Sequence, residues 1–149
     1  MRFTGIPEAV ASEVRATMRA PQYGHPAHKA LAQGYGPCRL CLRTFRIGEE
    51  ERILFTYNPC AGLPAPGPVF IHARTCQRYD GAELPPDLRA LPMVIEGFGE
   101  GGWLVAQKKV EGSVEKVLAG VLAQSGVAYA QLRNAEAGCF MARVELTSA

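Results

Sequence analysis

Four cysteines and one histidine lie in a single stretch of the chain, between residues 38 and 76. Cys38 and Cys41 form a Cys-x-x-Cys pair, and thirty residues further on His72 and Cys76 form a His-x-x-x-Cys pair. Two soft ligands on a tight turn, followed by two more after a hairpin-sized segment, are typical of a tetrahedral zinc site. The spacing therefore predicts that these four residues bind zinc within a substructure of residues 37–79.

Alternatives to this zinc site stay open. Cys60 is the alternative fourth ligand if His72 points into the core. Free cysteine is often buried as a small hydrophobe, so a metal-free core is also compatible with the pattern. A redox-active Cys-x-x-Cys is disfavoured, because residues 42–47 run into a turn rather than into a helix that would lower a thiol pKa.

A second group of reactive residue types lies near the C-terminus. Arg133, Asn134 and Cys139 flank the turn NAEAG, and Arg143 follows on the strand face that is also predicted for Cys139 and Met141. Two arginines and an amide beside a thiol would bind a carboxylate or a phosphate. The alternative is that Asn134 only stabilises the turn and that Cys139 belongs to the core.

The charges of the chain are unevenly distributed. The net charge of +2 is too small to predict a nucleic-acid or membrane partner, but twelve of the sixteen cations are arginines. Six of them lie in or beside the cysteine-rich stretch: Arg39, Arg43, Arg46, Arg52, Arg74 and Arg78. Because guanidinium groups suit planar anions, this surface is a candidate for an anionic ligand or nucleic acid. The alternative is that the glutamates at 49–51 neutralise these arginines in solvent.

The composition indicates a soluble globular protein, with 48% hydrophobic and 20% charged residues. The N-terminal residues lack an apolar leader, and no apolar run approaches the length of a membrane span. We therefore expect a cytoplasmic protein with no membrane partner. In a reducing compartment, five cysteines are expected to serve as metal ligands, core residues or reactive thiols rather than to form disulfides.

Two helices are predicted from apolar periodicity. Residues 7–19 carry an apolar residue at every fourth position, and Pro7 suits the first turn. Ser113 is a good N-cap for a helix over 114–125, which has an apolar face at i, i+3, i+4 and i+7 and is followed by Gly126.

Strands account for most of the remaining chain. We predict a connector over 20–36 with a helical turn at 27–33, and a strand at 69–74 that is central in its sheet because it is apolar on both faces. Further predicted strands are 1–6, 51–57, 93–96 with 103–108, and 127–133 with 139–146. The sum is a single α+β domain, 1–149, with a mostly antiparallel sheet of six or seven strands.

Several segments resemble a bacterial family catalogued as domain-of-unknown-function family 1203. They are GPCRLCL at 36–42, GEE at 48–50, GPVFIHARTCQRY at 67–79 and VAYAQLRNAEAGCFMARV at 127–144. The resemblance implies a stand-alone bacterial cytoplasmic protein and implies no activity. Locally, residues 38–76 resemble treble-clef-like zinc fingers of the poly(ADP-ribose)-polymerase and LIM kind, but they have an extra residue in the second ligand pair and a proline-rich loop.

The sequence thus leaves the function unknown and supports three hypotheses. The first is a small α+β protein with a structural zinc site and an arginine-rich surface for an anionic partner. The second is an enzyme that acts on a small anionic substrate, with Cys139 or His72 as the reactive group and Arg133 and Arg143 as anchors. The third is a metal-free binding protein with core cysteines.

Overall fold

Two antiparallel β-sheets and two α-helices make up the part of the chain that the computed structural model describes, namely residues 1–34, 36–59 and 66–147. The helices are α1 (Glu8–Thr17) and α2 (Val114–Leu122), and a short 3-10 helix spans Pro86–Leu88. The strands are β1 (Arg2–Thr4), β2 (His28–Leu31), β3 (Glu51–Tyr57), β4 (Gly67–His72), β5 (Asp80–Gly81), β6 (Met93–Phe98), β7 (Leu104–Lys109), β8 (Tyr129–Asn134) and β9 (Phe140–Glu145). The predicted α+β class is confirmed.

The two sheets have separate hydrophobic cores. The larger sheet has the strand order β5-β1-β9-β8-β6-β7, and the smaller sheet has the order β2-β3-β4. Helix α2 packs on the larger sheet, and we call the cluster between them the α2 core; it includes Ile95, Leu118, Leu132, Met141 and Val144. Residues of α1 pack with the smaller sheet, and we call that cluster the α1 core; it includes Ala11, Val14, Ile53, Phe55 and Ile71. Each amphipathic helix thus buries its apolar face in one of the two cores.

Both helices end earlier than the sequence predicts. Helix α1 ends at Thr17 because Met18 adopts a left-handed conformation, with φ of 53°. Helix α2 begins as predicted, since the Ser113 side chain accepts a hydrogen bond from the backbone N–H of Lys116, and it ends at Leu122. No helix in the described residues is both long and apolar enough to cross a membrane.

The predicted hairpins are confirmed as β6–β7 and β8–β9, but two predictions are wrong and one short strand was missed. Residues 28–31 form a strand that pairs with β3 rather than a helical turn, and all four of its side chains are exposed. Strand β4 lies at an edge of the smaller sheet rather than at its centre. Its free edge is covered by the turn that follows Pro37, since Phe70 O accepts a hydrogen bond from the backbone N–H of Arg39. The two-residue strand β5 was not predicted.

Gly5 provides a test of the packing between the N-terminal segment and this turn. A Cβ atom at Gly5 would lie 2.1 Å from Leu40 O and 2.7 Å from Arg39 O. Both carbonyls accept backbone hydrogen bonds, from Tyr79 and Ile6 respectively, so they cannot move aside freely. We expect Gly5→Ala to lower the free energy of unfolding by about 1–3 kcal/mol in chemical denaturation.

Gly120→Ala is the matched control for this substitution. Gly120 lies in α2, and a Cβ there would meet no described atom within 4 Å. Alanine is the better helix former, so Gly120→Ala should leave stability unchanged or raise it by up to about 1 kcal/mol. Equal stability of the Gly5 variant and the wild type would contradict the close packing.

Candidate metal centre

The four predicted ligands meet at one place in the structure. One donor atom each of Cys38, Cys41, His72 and Cys76 lies within 4.8 Å of the other three. The Cys38 and Cys76 sulfurs are 3.8 Å apart, and Cys41 Sγ is 3.5 Å from His72 Nδ1. A tetrahedral zinc ion with its usual bond lengths would separate two sulfurs by about 3.8 Å and a sulfur from a nitrogen by about 3.6 Å. The donor set therefore fits one tetrahedral metal ion.

A tight turn over residues 38–43, which we call the knuckle, positions the first two ligands. The backbone N–H of Cys38 donates to Arg43 O and that of Leu42 donates to Cys38 O, each over 2.8 Å. Leu42 has a φ of 59°, a left-handed conformation that is uncommon for a residue other than glycine. Leu42 is fully buried in the α2 core, which holds it in this conformation. The knuckle thus depends on packing as well as on its own hydrogen bonds.

Strand β4 and the residues after it supply the other two ligands. His72 is the last residue of β4, and its backbone N–H donates to Cys38 Sγ over 3.3 Å. The Arg15 guanidinium, on α1, donates to the carbonyl oxygen of His72 and to Cys76 Sγ, the latter over 3.4 Å. The sequence interpretation missed Arg15, although it follows Ala11 by one helical turn and so lies beside the buried face of α1.

Glu50 orients the histidine. The Nε2 atom of His72 lies 3.1 Å from Glu50 Oε2, so Nδ1 is left to face the sulfurs. Glu50 is only 8% exposed, and it also accepts hydrogen bonds from the backbone N–H of Arg46 and from the Arg74 guanidinium. The Arg46 N–H, aided by His72 and Arg74, keeps the pKa of Glu50 below its ordinary value although burial opposes this. A ligand histidine that donates its second N–H to a carboxylate is a common arrangement at metal sites.

The thiols and the imidazole share their protons unevenly. Hydrogen bonds with Cys41 and Cys76, together with burial, raise the pKa of Cys38. Hydrogen bonds from Cys38 and Cys76 lower the pKa of Cys41, and a bond from His72 adds to them. Burial lowers the pKa of His72, but its hydrogen bonds with Cys41 and Cys76 outweigh burial and raise the value to about 9. Hydrogen bonding among the thiols and the imidazole thus favours negative charge on Cys41, which a bound cation would neutralise.

Three of the four ligand residues are buried. The exposed fractions are 0% for Cys38, 5% for Cys41 and 4% for His72, and Cys76 is half-buried. Structural zinc sites have four protein ligands, whereas catalytic sites keep a position open for water. Four protein donors in a largely buried site therefore match the structural type.

The structure leaves the alternative thiols outside this group. Cys60 lies outside the described residues. Cys139 is half-buried and is not among the grouped ligands, and its Sγ lies 3.8 Å from Ala137 O. The Asn134 side chain accepts hydrogen bonds from the backbone N–H groups of Glu136 and Ala137, each over 2.9 Å. Asn134 thus stabilises its own turn, as the alternative interpretation expected.

Both arginines of the predicted anion pocket pair with carboxylates of the chain itself. Arg133 forms an ion pair with the buried Glu96, and Arg143 forms one with Glu145. Arg143 does not share a face with Met141, because a register shift in the β8–β9 hairpin places Met141 in the α2 core. The anion pocket stays a prediction, and an incoming anion would have to displace these carboxylates.

The six arginines around the cysteine-rich stretch have different roles. Three donate to backbone carbonyls: Arg39 to Phe140 and Pro37, Arg52 to Gly34, and Arg78 to Gly5 and Ile6. Arg46 and Arg74 form ion pairs with Glu50. Arg43 has no hydrogen bond or ion pair from its side chain to another described residue. Most of this set therefore supports the fold and the candidate centre.

Comparisons with known proteins give a family but no activity. Residues 35–146 match the family described as "Protein of unknown function (DUF1203)". The matched span contains all four candidate ligands and Glu50. Comparison of the chain with curated proteins and with solved structures finds no match.

Replacing Glu50 tests whether the centre depends on its surroundings. Glu50→Gln removes the negative charge beside His72 but keeps the shape of the side chain. We expect it to weaken zinc affinity about tenfold, the lower end of the usual range for such groups. The measurement is competition with a chromogenic chelator at constant pH. The control is Glu49→Gln, whose side chain is 70% exposed and should leave affinity unchanged; equal affinity of both variants and the wild type would rule out this role for Glu50.

Proposed function

We propose that this chain, which belongs to the DUF1203 family of proteins of unknown function, is a zinc-binding protein with a structural metal centre. Family membership assigns no activity, so the proposal rests on the geometry of the site. Cys38, Cys41, His72 and Cys76 are the ligands. The observation that carries the proposal is the convergence of four donor atoms within 4.8 Å of one another, from two segments far apart in the chain and with three of the four residues buried.

The donor set favours zinc among the common metals. Sulfur and imidazole donors in a tetrahedral arrangement are typical of zinc, whereas magnesium and calcium require oxygen ligands. The site has three sulfurs and one nitrogen and no oxygen within the donor group. When bound, zinc would supply a fixed cross-link rather than a reactive water.

A zinc ion here would link the two cores. The knuckle ligands Cys38 and Cys41 belong to the α1 core, while Leu42 next to them lies in the α2 core. The ion would tie this junction to the end of β4 and to Cys76. Because such a site is not preformed in an unfolded chain, the free energy of zinc binding contributes directly to folding.

Three arginines near the centre would balance its negative charge. Zinc carries two positive charges and three thiolates carry three negative ones, so the centre has a net charge of minus one. Glu50 adds a second negative charge. Arg15 beside Cys76, and Arg46 and Arg74 beside Glu50, supply positive charge close to these groups. The prediction of an anionic partner at the arginine-rich surface remains open and rests mainly on Arg43.

Metal content and stability test the proposal together. Tag-free wild-type protein is expected to contain about one zinc per chain by elemental analysis. Cys38→Ser should lose most of the zinc and unfold at a lower temperature. A strong chelator should destabilise the wild type by several kcal/mol, because metal binding is coupled to folding.

Cys139→Ser is the matched control, since this thiol lies outside the ligand group. It should keep the zinc and the thermal stability of the wild type. Metal-free wild-type protein with reactive thiols, and with the same unfolding temperature with or without added zinc, would overturn the proposal and favour a core of inert cysteines.

A further inference from the structure

The edge of the larger sheet at β7 is exposed and apolar at one end. Strand β7 is last in the strand order, and among its residues only Ala106 is buried. The exposed fractions are 67% for Trp103, 50% for Leu104 and 42% for Val105. Three consecutive large apolar residues on an open edge are unusual, because such edges normally invite aggregation unless something covers them.

The backbone of β7 is oriented to accept another strand. Val110 N donates to Met93 O, so Val110, the residue after β7, and Met93 of β6 form a hydrogen-bonded pair. Hydrogen-bonded pairs recur at every second residue along an antiparallel ladder. The register then assigns Lys108 and Ala106 to the pairs that bond to β6. The N–H and C=O groups of Gln107 and Lys109 therefore point away from the sheet and toward any added strand.

The opposite end of the same strand is cationic. A groove of about 470 Å³ between β7 and α2 is lined by Lys108, Lys109 and Lys116, with Glu111 as the acidic residue in its lining. The other end has its own groove of about 470 Å³, formed in part by Trp103, Val105 and the residues around Gly126, with Glu100 as the acidic residue in its lining. The edge thus offers an apolar contact surface near Trp103 and a positively charged surface near Lys109.

We propose that the β7 edge binds an extended segment of a partner protein that carries carboxylates at one end and apolar side chains at the other. The segment adds to the larger sheet as a seventh strand next to β7. Its backbone pairs with Gln107 and Lys109, its carboxylates meet the lysines, and its apolar residues cover Trp103 and Val105. This is strand addition to a sheet edge, in which the backbone supplies affinity and the side chains supply specificity.

Charge disfavours a second copy of the chain as the occupant. Strand β7 reads LVAQKK and contains no carboxylate. Antiparallel pairing of two β7 edges about their middle would place Lys108 and Lys109 of one copy opposite the apolar half of the strand in the other, so neither the charged nor the apolar residues would be matched. Lysines on an edge strand also hinder self-association in general. An acidic partner is the occupant that this distribution of charge favours.

The single tryptophan of the chain gives a direct readout of binding. The probe is a synthetic peptide of about ten residues in which Thr-Glu repeats are followed by Thr-Val repeats, long enough to span the strand. Titrated into the full zinc-loaded chain, it should shift Trp103 emission to the blue in a saturable manner. The control peptide has lysine in place of each glutamate and should bind at least about tenfold more weakly.

Two variants separate the charge contribution from backbone pairing. Lys108→Glu with Lys109→Glu should weaken binding of the acidic peptide at least about tenfold and reverse the preference between the peptides. Gln107→Pro removes one outward N–H at a position where an edge strand tolerates proline, and it should also weaken binding while circular dichroism stays unchanged. If circular dichroism shows that Gln107→Pro is misfolded, the lysine variant alone tests whether the β7 edge binds the acidic peptide.

Three results would overturn the proposal. The first is no emission shift at millimolar peptide. The second is equal binding of the acidic and basic peptides, which would indicate nonspecific contact. The third is a blue shift that grows with protein concentration alone, together with a dimer mass in sedimentation, which would make a second copy the occupant of the edge.

Discussion

The backbone of the knuckle is the constraint on which the rest of the structure depends. Besides its internal bonds, it accepts hydrogen bonds from Ile6 and Tyr79 and donates one to Phe70. These bonds attach the segments after β1 and before β5, and the free edge of β4, to one turn. Burial of Cys38, Leu40 and Leu42 keeps water from competing for these bonds. A metal ion bound by the four donor atoms would add a cross-link to this junction.

The buried Arg39 extends this junction to the larger sheet. Its guanidinium donates to Phe140 O, at the start of β9, and to Pro37 O. Burial lowers the pKa of Arg39 to about 10, so the group still carries its charge at neutral pH. A buried cation whose described bonds go to carbonyls is costly unless opposite charge lies near it. An anionic metal centre with three thiolates would supply that charge, since Cys38 directly precedes Arg39 in the chain.

The sequence predicted what depends on local patterns and missed what depends on distant contacts. The ligand set followed from spacing, and α2 followed from its apolar period and the Ser113 cap. Strand β2 has no buried face, so it shows no alternation by which it could have been found. The apolar faces of β4 predicted a central strand. In the structure β4 is an edge strand, and the knuckle covers its free edge. Glu50 and Arg15 resembled solvated charges until the fold brought them against His72 and Cys76.

The centre and the exposed edge of β7 lie toward different sides of the larger sheet. In the strand order β5-β1-β9-β8-β6-β7, the knuckle is bonded to the segments beside β1 and β5, while β7 is the opposite edge. Strands β6, β8 and β9 lie between β7 and β1 in the sheet. The centre and the β7 edge both lie within residues 35–146, the span that matches the family, whereas Gly5 and Arg15 precede it. Ligands, Glu50 and sheet edge thus belong to the part of the chain that defines the family, and β1 and α1 add a further layer of contacts around the knuckle.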